Sequence, residues 1–453
     1  MKNIVVACAA LFLLSACGAD QSAETSAKGA AEPSSAAQSY VTSKTVDEVA
    51  EQFVKLSLAI GQHDKAFVDA YHGPEEWAAE ADAGQRDLQS LEAEAEVLIA
   101  EMDALIAASD SADASSVARK TMLRKNLVAA QTRVRMARGE TFTFDEETTL
   151  LYDATAPSYT LEEFDQSLAA IDGLVPGEGT LAERVDAFRE SLAIPGDRLD
   201  AVFSAAMAEC RRRTQVHFSL PDTERFSIGY VTGKPWSGYN WYQGDFESLI
   251  EVNTDFPVII DRAVDLGCHE GYPGHHTWNV MIERDLLREK GWIEYAVYPL
   301  FSPQSLIAEG SANFGIQLAF PGDEKIAFER DVLFPMAGLD PADADKLAAL
   351  NKAQRKLSHS RNQIARLYLD GDIDRATAIE LTMKYSLVSK ERADKSVRFT
   401  ETYRGYVINY NLGRDLVQSY VEREMANGVD AWMAFEGILT TPTSASDLRE
   451  ETD

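Results

Sequence analysis

Positive charge is scarce in this sequence: 43 Lys and Arg stand against 73 Asp and Glu, a formal net charge of −30 over 453 residues. Such a surface repels nucleic acid and favours solubility, so a nucleic-acid partner is excluded while the fold is left open. Long apolar runs are lacking too. The one near the N-terminus, Ile4 to Leu14, is too short to span a bilayer, and no later run approaches the length required. Cysteine is rare, with four residues in all: Cys8, Cys17, Cys210 and Cys268. Histidine is almost as rare, seven in the whole chain, and this makes its distribution informative. Three of the seven fall within eight residues, from His269 to His276.

What is present begins with "MKNIVVACAALFLLSACGAD", a short positive start followed by an apolar stretch. Leu14-Ser15-Ala16-Cys17 resembles the bacterial lipobox, which implies removal of residues 1–16 and lipid attachment at Cys17. Several acyl chains on one residue give stable anchoring where a single chain does not. Gly18 in place of aspartate favours, by the same resemblance, the outer membrane of a Gram-negative cell, with the protein facing the periplasm. Cys8 would leave with the signal and Cys17 would be acylated. Cys210 and Cys268 then either pair in an oxidising compartment or remain two buried thiols.

Residues 17–44 are rich in Ala, Ser and Gln and read as a flexible tether. Order is expected from Thr45, where Thr45 and Glu48 have capping-box spacing; Thr160 with Glu163 and Thr180 with Glu183 repeat the device. "LEAEAEVLIAEMDALIAA" and "RLDAVFSAAMAECRRRTQ" place apolar residues three and four apart, a helical period. Between about 216 and 255 glycine, proline and aromatics crowd together, and "ESLIEVNT" alternates like a strand. The sequence therefore predicts a mainly α unit over 45–441, two helical lobes around a cleft with a small antiparallel sheet, followed by an acidic tail over 442–453. An apolar fraction of 45% suffices for a core of that size.

The histidine cluster reads "CHEGYPGHH", Cys268 to His276. A catalytic zinc takes three protein ligands and keeps one position open. The usual helical solution, His-Glu-x-x-His, begins correctly at His269-Glu270, but the position four residues on is Pro273. On a regular helix His276 lies about 20° from His269 and His275 about 120° away. Pro273 and Gly274 interrupt that regularity, and a bulge there would return His275 to the same face. Either histidine is a candidate second ligand.

"HEGYPGHH" resembles the signature of a bacterial family, domain of unknown function eight-eight-five, placed among gluzincin-like metallopeptidases. "DAYHGP", "NWYQG", "EVNTD", "LIAEGSANFG" and "YVINYNLG" are similar to further blocks of that family, in its order. The resemblance implies one zinc ion held by His269, His275 and Glu309, with Glu270 as general base toward a metal-activated water. It implies Tyr410 as the oxyanion donor, with Tyr403 and Tyr406 on the same segment as alternatives, and the strand "ESLIEVNT", with Asn253, as a substrate-holding edge. The implied substrate is a short peptide. Arg211, Arg212 and Arg213 would grip a substrate carboxylate or, alternatively, close a helix C-terminus and pair with acidic neighbours. Two further readings stay open: a zinc amidase of cell-wall fragments, and a metal- or peptide-binding lipoprotein without turnover. The base beside the first ligand favours catalysis, since a pure binding protein has no use for it.

Overall fold

The computed structural model describes residues 44–110 and 113–449. The signal segment, Cys17 and nearly all of the expected tether lie outside the described residues. Thr45 opens the first helix, Val46–His63. Its side chain accepts from the amide of Glu48, and its own amide donates to the Glu48 carboxylate at 2.7 Å. Thr160 and Thr180 cap the helices Leu161–Asp172 and Leu181–Glu190 in the same reciprocal way. The two helical periods read from sequence also hold. Leu88–Ala107 buries Leu91, Ala95, Leu98 and Met102, and Leu199–Gln215 buries Val202, Phe203, Ala206, Met207 and Cys210.

The helices build two apolar cores. The larger takes in the first helix, Leu199–Gln215, and the pair Pro303–Ala319 and Ile408–Ala426. The smaller gathers Phe164, Ile171 and Val185 against Leu350, Ile364, Ile379, Tyr385 and Val397. Residues attached to both cores line a cavity of about 1610 Å³, among them His269 and Glu309 from the larger and Val388 and Arg392 beside the smaller. The predicted lobes and cleft are these.

Among the described residues there are two small sheets. Strands β1 (Val68–Tyr71) and β5 (Val297–Pro299) pair antiparallel. Strands β2 (Arg225–Val231), β3 (Gly238–Gly244) and β4 (Glu247–Asn253) form a second sheet in the order β2-β4-β3. This second sheet departs from the antiparallel expectation, because β2 runs parallel to β4 while β3 runs antiparallel to it. The cause is local. Asp245 and Phe246, both at positive φ (52° and 62°), make a two-residue turn that folds β4 back against β3 and into the middle of the sheet.

The C-terminal expectation is corrected as well. Ala445 and Leu448 are buried in the larger core, and Lys125 Nζ donates to Ser444 Oγ and Ser446 Oγ at 2.6 Å each. Residues 442–449 thus belong to the fold and not to a tail, because two apolar side chains among the acids find a place to bury.

Candidate metal centre

The helix Asp261–Leu266 widens into a π-helical turn, Gly267–Gly271, that carries His269 and Glu270. The chain then leaves the helix: Tyr272 is extended (φ −128°, ψ 123°), as a residue before proline prefers to be, and a new helix opens at His275. The interruption is therefore a full break and not a bulge in one continuous helix. Gly274 makes the break possible. Its amide donates to the Cys268 carbonyl at 3.0 Å, and a Cβ there would lie 1.9 Å from the His269 carbonyl oxygen.

Across this break the rings of His269 and His275 stand at 85°, with centroids 4.6 Å apart. Both Nε2 atoms face Oε2 of Glu309, at 3.2 Å from His269 and 3.8 Å from His275. Ligand atoms on one tetrahedral zinc are about 3.3 Å apart. Glu309 Oε2 is buried and accepts no hydrogen bond, whereas its other oxygen, Oε1, accepts from Tyr406 at 2.8 Å. An orphaned carboxylate oxygen aimed at two imidazoles is the place a divalent cation fits.

The supporting contacts set the orientation of the first ring. Asn313 Nδ2 donates to the Tyr410 carbonyl at 3.0 Å, which leaves Asn313 Oδ1 to accept from His269 Nδ1 at 3.2 Å. With its proton on Nδ1, His269 offers a free Nε2 lone pair to a metal.

Glu309 itself sits on Pro303–Ala319, which crosses Ile408–Ala426 closely at Gly310. A Cβ on Gly310 would lie 2.4 Å from the Gly413 carbonyl carbon. That crossing sets Tyr406 against the Glu309 carboxylate.

A second carboxylate flanks the pair. His269, Glu270 and His275 each bring a ligand atom within 4.8 Å of the others. Glu270 and Glu309 are therefore both within reach of a cation, and their environments separate them. Burial raises the Glu270 carboxyl above its ordinary value, against the opposing pull of the two imidazoles. Burial acts on Glu309 in the same sense, but there the two imidazoles beside it prevail and hold the carboxyl well below the carboxylate range. The two neighbouring acids are thus shifted in opposite directions.

His276, the alternative ligand, is fully occupied elsewhere. It is buried, with Nδ1 at 2.8 Å from Ser248 Oγ and Nε2 at 2.9 Å from Glu224 Oε2. Glu224 also accepts from Tyr272 at 2.5 Å and pairs with Arg211. Burial opposes ionisation of Glu224, and these three partners together bring it down to about 2. Sequence reading missed this network. The only signal, a second histidine beside the first, pointed to the metal.

The remaining predicted residues divide. Tyr410 lines the cavity, and among the described residues its hydroxyl has no hydrogen-bond partner, so it is open to a ligand. The hydroxyl that touches Glu309 is that of Tyr406, whose ring packs 5.8 Å from that of Tyr410. Burial pushes both phenols well up, so both remain donors.

Asn253 is corrected. It is buried at the end of β4, and its Nδ2 donates to the carbonyls of Lys234 (2.9 Å) and Trp236 (2.7 Å) while its Oδ1 accepts from the Asp255 amide. It shapes the loop before β3, and its Nδ2 is engaged by backbone carbonyls of that loop. The substrate-holding edge is corrected with it. β4 is the central strand with both sides paired, whereas β3 is an edge strand whose residues Gly238 to Tyr242 line the cavity.

Arg211 pairs with Glu224, Arg212 and Arg213 pair with Glu209, and Arg213 also donates to the Ala319 carbonyl at 2.9 Å. Cys210 and Cys268 form a disulfide with Cα atoms 5.5 Å apart, tying Leu199–Gln215 to the turn that carries His269. The cavity also holds Asp69, which accepts from the Tyr239 hydroxyl and is raised by burial.

No family model matches the chain, and no curated protein matches it. Solved structures similar to it include two proteins described as lipoproteins. A protein of Colwellia psychrerythraea, described as a lipoprotein, is 15% identical, with 89% of this chain and 75% of that one covered and a TM-score of 0.52. A protein of Shewanella oneidensis, described as a lipoprotein of unknown function, is 10% identical, with 91% and 88% covered and a TM-score of 0.48. At 15% identity the first likeness is one of fold.

Proposed function

We propose that the protein is a lipid-anchored zinc metallohydrolase of the gluzincin kind that cleaves short peptides in the periplasm. Glu309 Oε2 carries this reading. It is buried, accepts no hydrogen bond and faces the Nε2 atoms of His269 and His275. Two imidazole nitrogens and one carboxylate oxygen are the donor set zinc takes in a hydrolytic site. A zinc ion held by His269, His275 and Glu309 supplies a Lewis acid and lowers the pKa of a coordinated water toward about 7.

The chain's own residues supply the rest. Glu270, more basic than an exposed carboxylate because it is buried, accepts the proton of the attacking water and returns it to the leaving amine. Tyr410, neutral and with an unengaged hydroxyl, donates to the carbonyl oxygen as negative charge develops there. The edge of β3 offers backbone groups to an extended peptide, a mode that tolerates varied sequence. A cavity of about 1610 Å³ between helical lobes admits short peptides and excludes folded proteins.

Anchoring through Cys17 rests on the lipobox, and the Colwellia psychrerythraea neighbour described as a lipoprotein supports it. The Cys210–Cys268 disulfide fits an oxidising compartment. The signature "HEGYPGHH" supports membership of the eight-eight-five family.

Metal analysis and a peptide-cleavage screen test the reading together. One zinc per chain is expected, with cleavage lost on chelation and restored by zinc. Glu270→Gln is expected to keep the metal and lose turnover by on the order of a hundredfold or more. Full activity in that variant would remove the base from the mechanism, and absence of metal would remove the site.

A further inference from the structure

Arg361 stands on the helix Ser360–Leu369 and lines the cavity that holds His269, His275 and Glu309. Among the described residues it is the one partly buried arginine with neither a carboxylate in ion-pair contact nor a hydrogen-bond acceptor. Its Nε is shut off from solvent and unpartnered. Arg366, one turn further along the same helix, shows how the fold ordinarily treats such a group. That guanidinium bonds Asp145 and the carbonyls of Ala156 and Pro157. A buried cation left without its anion is costly, so an unpaired one facing a cavity calls for a partner that arrives from outside.

The surroundings fix its aim. The guanidinium carbon lies 4.8 Å from the Phe399 ring centre and 5.7 Å from that of Tyr410. Aromatic faces stabilise the cation from the side and leave its in-plane N–H edge for a planar acceptor. The segment is held rigidly. Asn362 Nδ2 donates to Asn411 Oδ1, and Asn411 Nδ2 donates to the Ser358 carbonyl, both at 2.8 Å. Tyr410, the neighbour under the guanidinium, is also the residue whose carbonyl positions Asn313 against His269. The unpaired cation is thus joined by one residue to the metal centre. Burial lowers the Arg361 guanidinium from its ordinary value, and Tyr410 and Glu309 act against that lowering, which places it within the electrostatic reach of the centre.

We propose that Arg361 is the seat for a substrate carboxylate, held by a bidentate guanidinium pair while the scissile bond lies at the metal centre. This rests on the peptide-hydrolase reading and goes beyond it by naming what the enzyme recognises. The carboxylate is either the free C-terminus of the peptide or an acidic side chain. The shared chemistry is a planar anion matched to a planar fork.

The test measures binding without turnover, on zinc-loaded Glu270→Gln protein, by calorimetry. The probes are N-acetyl-Ala-Ala-Phe as the free acid, the same peptide as its C-terminal amide, and N-acetyl-Ala-Asp-Phe amide. The free acid or the aspartyl amide is expected to bind on the order of ten- to a hundredfold more tightly than the neutral amide. Adding Arg361→Met is expected to erase that preference, Arg361→Lys to keep part of it, and both to retain full zinc content. Preference for the free acid assigns the C-terminal carboxylate; preference for the aspartyl amide assigns a side chain. A protein that binds all three equally, or an Arg361→Met variant that keeps the preference, overturns the proposal. Wild-type cleavage of the same peptides is scored separately, so a failure of the hydrolase reading is seen apart from a failure of Arg361.

Discussion

At His275 and His276 a single peptide step separates a ring that faces Glu309 from one that faces Glu224 and Ser248. Their substitutions should therefore fail differently. His275→Ala is expected to lose bound zinc with a modest change in stability. His276→Ala is expected to keep zinc and to lose about 2–3 kcal/mol of stability, because it removes a hydrogen bond from the buried Glu224 carboxylate. Metal content and denaturant unfolding of the two variants, side by side, check this; zinc loss in His276→Ala alone would reverse the ligand assignment. The sequence brought both histidines to notice and could not choose between them by periodicity. A regular helix favoured His276, and the choice depended on where the chain left the helix. The Glu224 partner of His276 lies fifty-two residues upstream, where nothing in local pattern marks it.

Elements meet at the centre through a helix crossing that only small residues permit. Pro303–Ala319 and Ile408–Ala426 touch at Gly310 and Gly413, and this contact holds Tyr406 against the carboxylate of Glu309. Gly310→Ala would put a methyl into the facing backbone. It is expected to cost about 1–3 kcal/mol and to weaken zinc binding, because the helices must part and Glu309 moves with one of them. Equilibrium unfolding and a zinc titration check both halves; unchanged values in both would mean the helices do not cross so closely. Nothing in the local pattern around Glu309 names the partner helix. The sheet shows the same limit. Alternation marked β4 as a strand, with Ile250 and Val252 buried, yet its central place followed from the turn at Asp245 and Phe246 and from pairing with β2.

Over the whole molecule, the Cys210–Cys268 bond closes a long loop, the two residues lying 58 apart in sequence. Its main effect is expected on the unfolded chain, whose freedom it restricts. Replacing both cysteines by serine should lower the unfolding free energy by about 2–4 kcal/mol in denaturant titrations. Because Cys268 precedes His269, zinc affinity should fall as well. A double variant as stable as the parent under oxidising conditions would mean that the bond does not form in solution. Charge is also distributed at this scale. The chain carries a net −30, yet Arg262, Arg361, Arg392 and Lys395 all face the cavity. The same lining carries Asp69, Asp261, Asp265, Asp323, Glu329 and Asp345, so charges of both signs meet there, and Arg262, Arg392 and Lys395 are each paired with an aspartate.

The sequence by itself determined the helical class and the capped helix starts, and its histidine spacing marked His269, Glu270 and the His275–His276 pair as a candidate centre. These follow from residue type and from spacing along one chain, which local backbone physics converts into structure. His275 and Glu309 were implied by the family resemblance, and the fold turns His275, not His276, toward Glu309; tertiary structure alone decided that Asn253 serves its own loop. It also decided that β3 offers the free edge and that Arg361 is left without an anion. Each of those depends on what a side chain meets across the fold, and hydrogen-bond satisfaction between distant segments has no period to be read.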